Sequence, residues 1–157
     1  PNHLMVMNAG SGFWHAEETL ADDPPLRMLQ IFVRPHSLDL EPDIQHEPIP
    51  DSVAGEWRHL FGPEGTYAPL SVRNDVDFYD CRLDAGATTT LPSRSGWHTY
   101  LYVFDGKVEV GDEPVGFTES ALVAGDNMAV TAIDDATIVA FNINPDAPVT
   151  RQGTIGR

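Results

Sequence analysis

The sequence predicts an all-β protein of the jelly-roll type, on three observations. Short alternating or apolar runs recur along the chain, Gly, Pro, Asn and Asp separate them, and no stretch sustains the 3.6-residue apolar period of an amphipathic helix. The runs, in order, are LMVM (4–7), FWHAEE (13–18), RMLQIFV (27–33), EWRHLFG (56–62), FYDCRLD (78–84), HTYLYVFD (98–105), KVEVG (107–111), DNMAVTA (126–132) and TIVAFNI (137–143). Each is short enough for a strand and is rich in aromatic or β-branched residues, or alternates in polarity as a half-buried strand does. Tight turns are signalled by DG at 105–106, GD at 111–112, AGD at 124–126 and DD at 134–135.

The stretch PHSLDLEPDIQHEPIPD (35–51) has four prolines, five acidic residues and little apolar periodicity, and reads as an extended connector. It sets the expected organisation: strands over 1–34, an acidic Pro-rich linker over 35–52, a barrel over 53–146 and a tail over 147–157. Three strands over 1–34 are too few to enclose a core, so that part must dock on the barrel, on a second copy of the chain or on a preceding segment. Exposed strand edges there make a homodimer through residues 1–34 one expected outcome. The chain opens mid-strand without an initiator Met, so residue 1 is expected to be a boundary within a longer protein.

Composition excludes several function classes. A formal net charge of -15 and a single lysine, Lys107, argue against direct nucleic-acid binding, which rests on Lys and Arg neutralising phosphates. No apolar run approaches the length of a membrane span, and the first residues lack the basic region and apolar core of a signal peptide, so a cytoplasmic protein is expected. The one cysteine, Cys81, rules out an internal disulfide. Its alternation with Tyr79 and Leu83 predicts a buried, inert thiol. No G-x-S-x-G occurs, and NAGSG lacks the G-K-[ST] ending of a phosphate loop, so hydrolase and nucleotide-binding readings fall away.

One pair of residues suggests chemistry. His15 and Glu17 follow the glycine-punctuated NAGSG turn, and residues two apart on a strand project to one face, with Cα atoms roughly 7 Å apart. Imidazole and carboxylate on one face can hold a divalent ion, but further ligands are needed. From the residues alone, an exposed strand face with a chance His and Glu is the competing reading. His3, His36, His46, His59 and His98 have no partner at ligand spacing and read as surface or hydrogen-bonded core. Phe13 and Trp14 read as barrel packing, with a wall beside a flat ligand as the alternative.

MNAGSGFWHAEE (7–18) resembles the M-x-A-G-x-G-x-x-H-x-E signature of the pirin family, whose members carry two cupin barrels in tandem. RMLQIFVRP (27–35) is similar to that family's L-Q-[IL]-W-[VL] strand. FYDCRLDAGATTTLP (78–92) and HTYLYVFDGKVEVG (98–111) look like the opening strands of its second cupin. The resemblance implies a cupin jelly-roll barrel preceded by residual strands of a first cupin, and Fe(II) or another divalent transition metal in the full-length protein. It makes His15 and Glu17 metal ligands, Glu17 with possible duty as a base toward substrate. The family's two further histidines, an upstream H-x-H, have no counterpart in this chain, so the site is expected to be half present and possibly empty here. In the second barrel the resemblance places Pro92, Arg94 and His98 at the first ligand positions, and Ala132 and Asp134 near the last, and so implies a metal-free second barrel. Neither proline nor arginine is a metal ligand.

Two functions follow from the resemblance. One is a quercetin 2,3-dioxygenase-like oxygenase acting on a small aromatic, flavonoid-like substrate in the intact protein, with this chain inactive by itself. The other is a metal- or redox-responsive binding protein without turnover.

Overall fold

The computed structural model describes residues 3–12, 14–16, 18–49, 51–123 and 125–152. The described residues form twelve strands and no helix. They run β1 (His3–Asn8), β2 (Asp43–Pro48), β3 (Arg58–Pro63), β4 (Leu70–Val72), β5 (Val76–Leu83), β6 (Thr88–Thr90), β7 (His98–Asp105), β8 (Lys107–Val110), β9 (Glu113–Gly116), β10 (Ser120–Val123), β11 (Ala129–Ala132) and β12 (Ala136–Ile143). The all-β cupin jelly roll expected from the sequence is what the chain adopts.

Two sheets face each other across the core. One has six strands in the order β10-β7-β12-β5-β3-β4, and the other has four in the order β6-β11-β8-β9. Alternation decides what points inward. Along β7, Thr99, Leu101 and Val103 are buried while Tyr100, Tyr102 and Phe104 are only partly so. Leu101, Val103 and Ile138 of the large sheet meet Val108, Val110, Val130 and Ala132 of the small one in a single apolar cluster. Burying each such side chain stabilises the fold by about 1.5–3 kcal/mol before entropy is counted. Cys81 lies in this cluster, 1% exposed, and burial pushes its thiol up to about 11. The buried position expected from the alternation is thus the one found.

The large sheet is covered on its other face as well. Leu60, Phe61, Leu70, Val72, Phe78 and Val139 form a second cluster, and Leu4, Val6, Ile31, Val33 and Ile49 pack against it. The N-terminal part therefore docks on the barrel, one of the three places open to it. Gln45 of β2 fixes this docking: its amide accepts from Ser71 N at 2.8 Å and donates to Ser71 O at 3.0 Å, occupying the edge strand β4 as a neighbouring strand would.

Several elements differ from the sequence expectation. The connector contains β2, which pairs antiparallel with β1 from His3↔Pro48 to Asn8↔Asp43. Residues 27–33, expected as a strand, lie in none, nor do the described residues 14–16 and 18 of the 13–18 run. Their alternation has no partner ladder among the described residues, and an unpaired strand is not stable. The short strands β4, β6, β9 and β10 add to the expected set.

Candidate functional site

The NAGSG turn forms as expected: Gly12 N donates to Ala9 O at 2.7 Å, and Gly10 adopts φ +56°. A Cβ at Gly10 would sit 2.1 Å from Leu40 O, so only glycine fits there. His15 beyond this turn is exposed and outside any strand, and Glu17 lies outside the described residues. Among the described residues, no group of three or more His, Cys, Asp and Glu side chains is placed to hold a metal ion. The described residues by themselves therefore do not fit the metal that the family resemblance implies.

A different cluster is assembled, at one end of the barrel. Strand register puts Thr99, Asn142 and Asp77 side by side across β7, β12 and β5, one row beyond Leu101, Ala140 and Tyr79. The inner face thus changes from apolar to polar within one pleat. Asn142, 1% exposed, accepts a 2.8 Å hydrogen bond from Thr99 Oγ1. Asp77, 3% exposed, is paired twice, with His59 Nε2 2.9 Å from Oδ1 and an Arg94 N–H donating to Oδ2 at 3.3 Å. A carboxylate this buried requires such partners, because desolvation penalises the charged form.

Local backbone features aim these groups. The β3–β5 register slips between His59 and Phe61, so Leu60 and Phe61 are both buried in the outer cluster while His59 lies opposite Tyr79. The His59 ring stacks on Tyr79 with centroids 4.4 Å apart and planes 17° apart. Gly62 makes room: a Cβ there would lie 2.6 Å from Asp77 Oδ1, 2.7 Å from Thr66 Oγ1 and 3.0 Å from His59 Nε2. Arg94, half exposed, lies over the Trp97 ring with its guanidinium carbon 4.0 Å from the centroid.

These groups open onto a cleft of about 360 Å³, whose walls also include Thr66, Tyr67 and Ser93. The Tyr79 phenol is held above its usual range, first by burial and then by the Asp77 charge, with Arg94 and the Asn142 amide acting in the opposite direction. No sequence spacing brings these residues together; His59, expected as surface or hydrogen-bonded core, is hydrogen-bonded. The signal that was there is the alternation Asp77, Tyr79, Cys81, Leu83 on β5, which places a carboxylate on the core face. Arg94, aligned by resemblance with a ligand histidine, instead brings a guanidinium to the mouth, which has no lone pair for a metal.

Comparison with known proteins places this barrel. The family described as "Quercetinase C-terminal cupin domain" matches residues 60–143. The chain belongs to the pirin family. It is 30% identical to a pirin-like protein of Caulobacter vibrioides over 87% of this chain and 60% of that protein. It is 31% identical to human pirin over 72% of this chain and 41% of that one. A Pseudomonas aeruginosa protein whose name carries a provisional quercetin 2,3-dioxygenase assignment is 27% identical over 98% of this chain and 59% of its own length. The chain thus spans about three-fifths or less of these pirin relatives. Among solved structures, a quercetin 2,3-dioxygenase from Acinetobacter baumannii superposes with a TM-score of 0.64 at 20% identity, covering 76% of this chain and 46% of that one. A bacterial pirin from Escherichia coli, solved in complex with nickel(II), gives 0.63 at 13% identity over 71% and 48%. At these identities the likeness shows the cupin fold. No helix among the described residues is long and apolar enough to cross a membrane.

Proposed function

We propose that this chain is the C-terminal part of a pirin-type bicupin acting as a metal-dependent, quercetin 2,3-dioxygenase-like oxygenase on a flavonoid-like aromatic substrate. In this reading residues 1–34 belong to the end of a first cupin, 35–52 connect, 53–146 form the second barrel and 147–157 a tail. The observation that carries it is the Gly10 turn: family membership coincides with a turn only glycine can make, placed directly before His15 and Glu17. His15 serves as a neutral imidazole ligand to Fe(II) or a similar divalent ion. Glu17 serves as ligand and as the group that can hold a substrate proton. Ligands from outside the described residues complete the site, so the chain by itself has little or no turnover.

The test is oxygen uptake with quercetin by iron-loaded protein that includes the segment supplying the further ligands, beside His15→Ala and Glu17→Gln. Loss of turnover by at least about 100-fold in both supports the reading. Metal bound with no oxygen uptake in any form replaces it with the metal- or redox-responsive binding protein. Turnover unchanged in both variants removes His15 and Glu17 from the site.

A further inference from the structure

The cleft at the mouth of the second barrel has no part in the metal chemistry proposed above, yet it is built from buried, ordered polar groups. Its one acceptor of full charge, Asp77, is 3% exposed and has both oxygens engaged by His59 and Arg94. Asn142 Oδ1 is likewise engaged, by Thr99. What remains toward the cleft is mainly donor capacity. Arg94 has five N–H groups and commits one of them to Asp77, the Tyr79 phenol oxygen is met by the Asn142 amide and so keeps its O–H to donate, and Ser93 and Tyr67 add exposed hydroxyls. Arg94 is the one Lys or Arg on the walls of a cleft in a chain whose formal charge is -15. The walls combine this cation with the stacked rings of Tyr79 and His59, and the fully exposed Tyr67 stands at the rim. The volume, about 360 Å³, suits a small molecule.

From this arrangement we infer that the second barrel is a binding site for a small aromatic carboxylate, its carboxylate on the Arg94 fork and the Tyr79 hydroxyl and its ring against the cleft's aromatic walls. Asp77 is a positioning residue: it holds the guanidinium and the imidazole at the mouth and does not itself touch the ligand. Gly62 leaves the space that this pairing occupies. The site is independent of His15 and Glu17, so it stands or falls separately from the oxygenase reading.

The experiment is a titration of the 157-residue chain with benzoate, followed by NMR through the Trp97 indole and Tyr79 ring signals, with benzamide as the neutral isostere. Benzoate is expected to shift both sets saturably and benzamide to bind at least about tenfold more weakly, since a charge-assisted pair is lost. Arg94→Gln, at a half-exposed position, is expected to keep the fold and to weaken benzoate by about tenfold or more, whereas Arg82→Gln on the exposed outer face leaves it unchanged. Three results would each overturn the inference: equal binding of benzoate and benzamide, undiminished benzoate binding by Arg94→Gln, or no saturable shift at Trp97 and Tyr79 up to about 10 mM, weaker than the mM affinity that even a modest site provides.

Discussion

The described residues of 14–34 and the barrel from β3 to β12 belong to one chain, and they end in opposite states. In the barrel, Leu101, Val103, Val108, Val130 and Ile138 are 0% exposed. Among the described residues of the N-terminal segment, Trp14, Leu20, Leu26, Met28 and Phe32 remain exposed, and only Ile31 and Val33 reach the outer cluster. Both stretches alternate in sequence. What separates them is the second half of the bargain: alternation prepares a face, and a paired ladder and an opposing layer must cover it. The barrel supplies both internally. The segment is held instead at isolated points, such as the exposed Arg27–Asp105 pair at 2.9 Å, with Arg27 over Phe104, and the bonds from Asn74 to Arg34 O and Pro148 O. Exposed pairs of this kind contribute about 0–1 kcal/mol each.

The contrast can be broken by mutation. Ile138→Ala, fully buried and paired in both ladders of β12, is expected to cost about 2–5 kcal/mol in urea unfolding, from lost burial plus the cavity left behind. A cost under about 1 kcal/mol would mean the barrel core is as loose as the segment. Asp77→Ala leaves Asn142 and Thr99 paired but strips the partner from His59 and Arg94. Because both retain access to water, the expected cost is smaller, about 1–3 kcal/mol.

Next in size is a pH effect. Cys81 is lifted from 9.0 to about 11 by burial, with the Asp80 charge adding to it. Its neutral form is favoured in the folded chain, so its contribution is complete below about pH 9 and is lost as pH rises toward 11, the unfolded chain ionising first. Tyr79 shifts in the same direction and adds to the loss. Stability measured at pH 8 and at pH 10.5 is expected to fall by about 1–2 kcal/mol more in the parent chain than in Cys81→Ala. An equal fall in both would remove the buried thiol as a cause. The smallest effect is expected for Phe32→Ala on the exposed segment, within about 0.5 kcal/mol of the parent. A larger cost would show that this face is covered in solution, for instance by a second copy of the chain, and light scattering on dilution would then reveal the dimer.

The same contrast explains what could be read in advance. HTYLYVFD was expected as a strand over 98–105 and is one, because its alternation is satisfied by neighbours on both sides. FWHAEE and RMLQIFV carry comparable patterns but lack a partner ladder among the described residues, and no local signal in a sequence reports that lack. The strand Asp43–Pro48 was hidden by the prolines and acidic residues of the 35–51 connector around it. It forms because β1 offers a free edge and Gln45 ties it to Ser71. At the candidate sites the outcome is mixed. The Gly10 turn before His15 was legible from its glycines. The cluster of His59, Asp77, Arg94 and Asn142 was not, since its members are drawn from β3, β5, β12 and a loop: register sets Asp77 beside Asn142, and His59 and Arg94 reach Asp77 only through the tertiary fold.

The proposed metal site rests on His15 and Glu17 and is completed by ligands from elsewhere. The most direct test is the Fe(II) or Ni(II) content of the 157-residue chain after saturation and desalting, beside His15→Ala. Well below one ion per chain is expected, with the same residual amount in the variant. One ion per chain, lost in His15→Ala, would contradict this expectation.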